Sequence, residues 1–265
     1  MTTGPSNADR VAPDGSPYPD RDRPTFEHDV RAMFTHIARR YDWFDHVASL
    51  GGDYLWRPRA LWDLERFRKG RRTSRILDIG CGTGDLGVVA AHRFSSASLV
   101  SADFTAAMLT RAAHRRDLGS IRNRCAFARA SALHLPFRSG TFDVVMSAFV
   151  VRNLPRLADA LAELRRVLAP QGTLLTLEIT EPVSPRFRAM FHAYFDRVVP
   201  WLGAVVKCAG PYRYLPESLR YLPDRNGMLE LFHASGFASA VVRPQSLGIV
   251  TAYLADVGLG TGSRG

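Results

Sequence analysis

The hydrophobic pattern of the first 67 residues predicts a tail followed by two helices. Residues 1–24 are rich in Pro, Asp, Gly and Ser and have no apolar face, which is typical of a disordered tail. Apolar positions then recur at helical spacing from Thr25 to about Phe67. A glycine-containing break at 49–53 divides this region, so we predict one helix on either side of it.

Short apolar runs and amphipathic stretches alternate between residues 75 and 180. We predict strands from the apolar runs at 75–80, 98–104, 125–131, 142–150 and 169–180. We predict helices from the stretches between them at 84–94, 106–116 and 157–168. This alternation is typical of βαβ units, so the fold class is α/β with a doubly wound, mostly parallel sheet.

The last part of the chain has a different pattern. An aromatic segment at 184–206 predicts a helix, and a further helix at 226–234 ends at Gly236, a natural helix stop. Two apolar runs follow at 237–243 and 248–257, separated by a short turn. They predict an antiparallel hairpin.

Composition and charge narrow the function classes. Hydrophobic residues make up 46% of the chain and charged residues 23%, as in ordinary globular proteins. The net charge is +10, but the arginines that supply nearly all of it are scattered, so we expect no specific nucleic-acid partner. The three cysteines have neither disulfide nor zinc spacing, so we expect no metal site and a reducing compartment. No stretch has a signal-peptide pattern or the length to span a bilayer, so we expect a cytoplasmic protein.

A glycine-rich loop follows the first predicted strand, in the stretch DIGCGTG (78–84). Glycines at alternate positions let the backbone lie flat against a ligand. Asp78 stands at the strand end, where open α/β sheets bind ligands. Its carboxylate would repel a pyrophosphate and pair with an amine, which favours a cofactor with an amino-acid moiety over NAD. A Walker P-loop is excluded, because no Gly-Lys-Ser/Thr follows.

The ends of the next two predicted strands supply further cofactor contacts. Asp103 ends the second strand, where a carboxylate accepts hydrogen bonds from ribose hydroxyls. Ser131 and Ala132 end the third strand, where an adenine edge could be read. Phe104 and Met108 could pack on the faces of that base, although ordinary helix–sheet packing explains them equally well.

These pieces together resemble class I S-adenosylmethionine-dependent methyltransferases. The resemblance is carried by LDIGCGTG (77–84), SADF (101–104), ALHLPF (132–137), FDVV (142–145) and the strand after APQG (169–172). It implies a Rossmann-like seven-stranded sheet with six parallel strands and an antiparallel last strand. It also implies S-adenosyl-L-methionine as cofactor, bound by further residues of the loop and of the fourth strand: Gly80, Cys81, Gly82, Thr83, Gly84 and Ala148.

Other segments are similar to a narrower family, the menaquinone/ubiquinone biosynthesis C-methyltransferases. They are RYDWFDHVASLGGDYLWR (40–57), FVVRNL (149–154), LEITEP (177–182) and PYRYLPESLRYLPD (211–224). This resemblance implies methylation of a ring carbon of a reduced demethylquinone, a hydrophobic quinol. Tyr41 would close the pocket over the cofactor.

The narrower resemblance also implies roles in the reaction. Arg152 would stabilise the phenolate of the quinol, and Asn153 would orient its oxygen. Tyr212 and Tyr214 are candidate substrate-positioning hydroxyls. His192 is a candidate general base, although a lone histidine on an aromatic helix is more often structural.

The sequence departs from the narrower family at two positions. Ser131 stands where Asn or Asp is usual, and Val150 stands where Gly is frequent. The alternative function is therefore O- or N-methylation of another hydrophobic small molecule.

Tryptophan and tyrosine are absent from 75–180 and concentrated on either side of it. We predict a methyltransferase domain over 25–258, whose cofactor-binding core is 70–180 and whose terminal helix and hairpin are 223–258. A helical lid would come from 25–69 and 184–222. The lid helix beginning at 184 is basic at both ends, so it could rest on an anionic membrane or serve as a buried cap. A homodimer is a further expectation.

Overall fold

The computed structural model describes residues 25–38, 49, 51–198, 214 and 218–259 of the 265-residue chain. The expected tail at 1–24 and the expected site residues Tyr41 and Tyr212 lie outside the described residues. The strands are β1 (Arg75–Ile79), β2 (Ser98–Asp103), β3 (Cys125–Arg129), β4 (Phe142–Ala148), β5 (Leu168–Ile179), β6 (Ser239–Gln245) and β7 (Val250–Asp256). The α-helices are α1 (Phe26–Ile37), α2 (Asp53–Arg68), α3 (Asp85–Arg93), α4 (Ala106–Ala113), α5 (Leu157–Val167), α6 (Pro185–Ala193) and α7 (Arg225–Ala234).

The seven strands form one sheet in the order β3-β2-β1-β4-β5-β7-β6. Strands β1 to β5 pair in parallel, and β7 is inserted antiparallel between β5 and β6. Six strands therefore run one way and β7 runs the other. The predicted Rossmann-like sheet and its terminal hairpin are confirmed.

Helices cover both faces of the sheet because successive strand residues point to opposite sides. Ile76, Val144 and Met146 pack with α2 and α3 on one face. Leu77 and Val145 pack with α5 and α7 on the other. Since each such buried side chain is worth about 1.5–3 kcal/mol, these two clusters hold the three layers together.

Helix α2 differs from the sequence expectation, which placed it in a lid. Its buried positions recur at helical spacing, and among them Trp56, Leu61 and Leu64 pack against the sheet. At its end, the Arg68 guanidinium donates to the Asp143 carbonyl (2.8 Å) and to the Thr173 hydroxyl (3.0 Å). These hydrogen bonds attach the end of α2 to β4 and β5. Helix α2 therefore belongs to the core of the domain rather than to a lid.

Helices α1 and α6 are the described candidates for the lid. Helix α1 contacts α4, and its buried Phe26 and Val30 cluster with Tyr214. Helix α6 follows β5 and buries only Phe191. In the part of the chain that the structure describes, no helix combines the length and apolarity needed to cross a bilayer.

Candidate functional site

A cavity with about 710 Å³ of empty space, part of it open to solvent, lies at the carboxyl ends of the central strands. This is where the strand order reverses direction, between β1 and β4, and open α/β sheets bind ligands at such points. Its lining residues come from the ends of β1 to β4 and from α1 across the opening: Glu27, Val30, Phe34, Gly80, Gly82, Asp103, Phe104, Thr105, Met108, Ala130, Ser131, Ala132, Leu133, Ala148, Phe149, Val150, Asn153, Leu154 and Pro155.

The glycine loop forms the floor of this cavity through Gly80 and Gly82. Gly80 has φ +64°, and a Cβ added to it would lie 2.5 Å from Cγ2 of Val150, so only glycine fits there. Three further loop residues that were expected to bind the cofactor do not line the cavity: Cys81, Thr83 and Gly84. Thr83 is held from outside the cavity, because its carbonyl accepts a hydrogen bond from Arg115 (3.1 Å).

Asp103 fixes the loop to the end of β2. One carboxylate oxygen accepts the backbone N–H of Gly82 (2.9 Å), and the other accepts that of Thr105 (2.8 Å). Burial raises the pKa of Asp103, and these two hydrogen bonds offset part of that rise. Asp103 lines the cavity, as the sequence predicts for a ribose-binding carboxylate.

Asp78 does not line the cavity, where the sequence predicts that it meets a cationic amine. Like Ile76 two residues earlier, it points to the sheet face covered by α3, where a Cβ added to Gly87 would lie 2.9 Å from its Oδ2. It is 1% exposed, and burial, together with the charge of Asp103, raises its pKa to about 8. At that pKa the carboxyl is mostly protonated at neutral pH, and it lies beneath α3 rather than in the cavity.

The raised pKa of Asp78 predicts a pH-dependent stability. In the unfolded chain an Asp titrates near pH ~3.9, so between about pH 4 and about pH 8 the folded state keeps a proton that the unfolded state releases. The free energy of unfolding should therefore fall as the pH rises through this window. Urea unfolding of Asp78→Asn at pH 5 and pH 8 should show a smaller fall than wild type, whereas the exposed Asp159→Asn should not. An equal fall in Asp78→Asn would contradict this assignment.

The side of the cavity under β2 and β3 is mainly apolar. Phe104, Met108, Ser131 and Ala132 all line it, as predicted for the adenine contacts. The Ser131 hydroxyl accepts the backbone N–H of Leu133 (3.3 Å), so it is partly committed to its own turn.

A short turn after β4, at 151–153, forms the opposite wall and is held by Glu178. This fully buried carboxylate accepts the backbone N–H of Val151 (2.6 Å) and a hydrogen bond from the Arg152 guanidinium (2.8 Å). Burial raises the pKa of Glu178 above its usual value, and the charge of Arg152 offsets part of that rise. Arg152 does not line the cavity, so its charge is matched behind the turn rather than presented to a ligand.

Asn153 is the one predicted catalytic residue that lines the cavity among the described residues. Its Nδ2 donates to the Phe149 carbonyl (3.2 Å), and its Oδ1 accepts the hydroxyl of Tyr214 (3.0 Å). Tyr214 is buried behind it. His192 does not line the cavity: its side chain is 47% exposed, and its Nε2 lies 3.1 Å from a carboxylate oxygen of Glu181.

The sequence placed α1 in the lid, but it did not identify the three residues of α1 that line the cavity. Glu27, Val30 and Phe34 lie three to four residues apart, on one helix face. The helical spacing of Phe34 indicates an apolar face, but a single sequence does not say which element that face covers. Phe149 and Leu154 were also missed, because they flank the Arg-Asn pair without a chemical signature of their own.

Known proteins resemble this chain in sequence and in fold. The ubiE/COQ5 methyltransferase family profile matches residues 23–256. A demethylmenaquinone methyltransferase from Thermus thermophilus is 41% identical over 208 residues, which are 78% of this chain and 91% of that protein. A ubiquinone/menaquinone biosynthesis C-methyltransferase UbiE from Geobacter sulfurreducens is 33% identical over 231 residues, 87% of this chain and 89% of that protein. The crystal structure of a SAM dependent methyltransferase from Aquifex aeolicus superposes with a TM-score of 0.58 at 13% identity, over 82% of this chain and 97% of that chain, and shares the fold.

Proposed function

The chain belongs to the ubiE/COQ5 methyltransferase family, and on this premise we propose that it methylates a ring carbon of a reduced demethylquinone, with S-adenosyl-L-methionine as the methyl donor. A demethylmenaquinol-like acceptor is supported by the relative at 41% identity, which is named a demethylmenaquinone methyltransferase. The observation that carries the proposal is the cavity itself. It joins a bare glycine loop and a buried carboxylate to an apolar wall that bears one amide, Asn153.

The loop side of the cavity fits this cofactor. Gly80 and Gly82 line the cavity and carry no side chains of their own, and Asp103 stands where ribose hydroxyls would bind. Ser131 and Phe104 would meet the adenine, and the backbone of Ala148 would face the amino-acid end. Because Asp78 is buried and mostly protonated, we assign the binding of the ammonium group to backbone carbonyls of the loop.

The wall side fits a flat, apolar acceptor. S-adenosyl-L-methionine supplies an electrophilic methyl group when bound, so the protein must hold a nucleophilic carbon close to it and exclude water. The carbon ortho to a phenol oxygen becomes nucleophilic when the phenol, with a pKa near ~10, loses its proton. The Asn153 amide, fixed by Phe149 and Tyr214, would orient that oxygen. Arg152 and Glu178 would hold the turn that carries Asn153.

The proposal is tested with labelled cofactor and a panel of reduced demethylquinones. The expected product carries the label on a ring carbon, located by mass spectrometry and NMR. Label on an oxygen or nitrogen of a different small molecule would favour the alternative function, and no transfer to any quinol would overturn the proposal.

Asn153→Ala should lower kcat about 100-fold, because one positioned polar group at a reacting oxygen contributes about that much. The affinity for S-adenosylhomocysteine, measured by calorimetry, should stay within about twofold of wild type. Tyr214→Phe should lower kcat less, since it removes a partner of Asn153. Asn226→Ala, on the exposed surface of α7, is the matched control and should retain full activity. Unchanged kcat in Asn153→Ala would remove that residue from the mechanism.

We also propose a peripheral membrane contact through the exposed side of α6. Phe187 and Met190 are exposed about one turn apart on α6, Val183 is exposed just before the helix, and Arg186 and Arg188 lie beside them in the sequence. An apolar stripe flanked by arginines suits an anionic bilayer surface. The chain should co-sediment with vesicles that contain anionic lipid and much less with neutral ones, and Met190→Glu should weaken this binding. Equal binding of Met190→Glu and wild type would contradict the contact.

A further inference from the structure

We propose that Val150 selects the ring of the acceptor, admitting a flat fused bicyclic quinol in preference to a monocyclic quinol with bulky ring substituents. This inference rests on the proposed function and extends it to the choice between two ring classes. It starts from the position of one side chain.

Val150 packs directly over the backbone of Gly80. Its Cγ2 and Cγ1 lie 2.5 and 2.9 Å from the point where a Cβ of residue 80 would stand. The side chain is only half-buried and lines the cavity, so one side of it meets Gly80 and another side faces the open space. The backbone at Val150 has φ −107° and ψ −40°, which any residue adopts. Its side chain can therefore change size without backbone strain.

Val150, Gly80 and Asn153 all line the same cavity. Under the proposed function, Gly80 would bound the part that holds the cofactor, and Asn153, three residues after Val150, would bound the part that holds the acceptor. Glu178 holds the intervening turn through Val151 and Arg152, so the turn cannot move back to admit a thicker ring. Val150 packs on Gly80 and lines the cavity, so its side chain would set the clearance between the cofactor and the acceptor ring.

This clearance would distinguish acceptors by the thickness of their rings. A fused aromatic bicycle is flat, whereas methoxy groups on a single ring leave its plane. One methylene in an apolar pocket changes discrimination by about 10- to 200-fold, and Val150→Ala removes two methyl groups. A smaller residue at 150 should therefore admit the thicker ring.

The test compares kcat/KM for a short-tailed demethylnaphthoquinol and for a dimethoxybenzoquinol that lacks the corresponding ring methyl. The ratio of the two values should fall at least tenfold in Val150→Ala. It should stay at the wild-type value in Val88→Ala, a matched change on α3 that does not line the cavity. Val150→Ile provides a second variant in the opposite direction and should raise the ratio. Thermal unfolding and S-adenosylhomocysteine binding verify that each variant is folded.

An unchanged ratio in both Val150 variants, with wild type active, would overturn the inference and leave the proposed function standing. An equal fall in Val88→Ala would overturn it as well, because the effect would not then come from the cavity. Absence of methyl transfer by wild type to either quinol would instead be a failure of the proposed function.

Discussion

Replacing Gly80 by alanine should lower the affinity for S-adenosylhomocysteine at least about 25-fold. The added Cβ would lie 2.5 Å from Val150 Cγ2, at a backbone φ of +64°. Overpacking costs about 1–3 kcal/mol, and a left-handed backbone costs a non-glycine residue about 1–2 kcal/mol. The loop can relieve this strain by moving away from the cofactor. Since each 1.4 kcal/mol is roughly tenfold in affinity, such a movement would remove most of the binding. Calorimetry measures the loss.

Two further variants separate the steric clash from the backbone strain. Gly140→Ala is the matched control, because Gly140 also has a positive φ (+70°) but has no atom within 4 Å of an added Cβ. It should bind the cofactor product as wild type does. The double variant Gly80→Ala/Val150→Gly removes the clash and should regain most of the lost affinity. Wild-type affinity in Gly80→Ala, or no recovery in the double variant, would contradict the assigned role of this contact.

Most of the fold was predictable because its signal is local. Each strand of the parallel sheet is a short apolar run, and the runs at 75–80 and 142–150 end within two residues of β1 and β4. The terminal hairpin followed from two such runs separated by a short turn. The position of α2 was not predictable in this way. Its apolar face could cover a sheet or a lid, and only its contacts with residues such as Leu177 decide between them.

The candidate site was predictable where function depends on the backbone, and less so where it depends on side-chain direction. Gly80, Gly82 and Asp103 lie at the cavity because strand ends determine their position. Asp78 occupies a strand end too, but its side chain falls on the face covered by α3. Arg152 is paired with Glu178, 26 positions away, and such a contact has no signature in a single sequence.

Glu178→Gln should be the most destabilising substitution near the cavity. It leaves the Arg152 guanidinium, 7% exposed, without its carboxylate, and an uncompensated buried charge costs about 3–5 kcal/mol. For a chain of this size that corresponds to a fall in Tm of roughly 6–20 °C. Scanning calorimetry or thermal circular dichroism measures it. Glu163→Gln is the matched control, because Glu163 likewise accepts a backbone N–H, from Leu135, and pairs with Arg166, but in a more exposed place. Loss of that more exposed, part-buried pair should cost about 1 kcal/mol, less than the loss of the Glu178 pair.

Removing both charges of the Arg152–Glu178 pair together should affect Tm and kcat differently. Glu178→Leu/Arg152→Met replaces the pair by apolar side chains, and such replacements of buried ion pairs are often neutral or stabilising. Its Tm should therefore recover toward wild type. Its kcat should stay at least about tenfold low, because Val151 loses the acceptor of its backbone N–H and the turn that carries Asn153 is no longer fixed. Recovery of both properties would mean that the pair serves stability alone. A wild-type Tm in Glu178→Gln would mean that Arg152 finds another partner when the carboxylate is removed, and the turn would then need a different anchor.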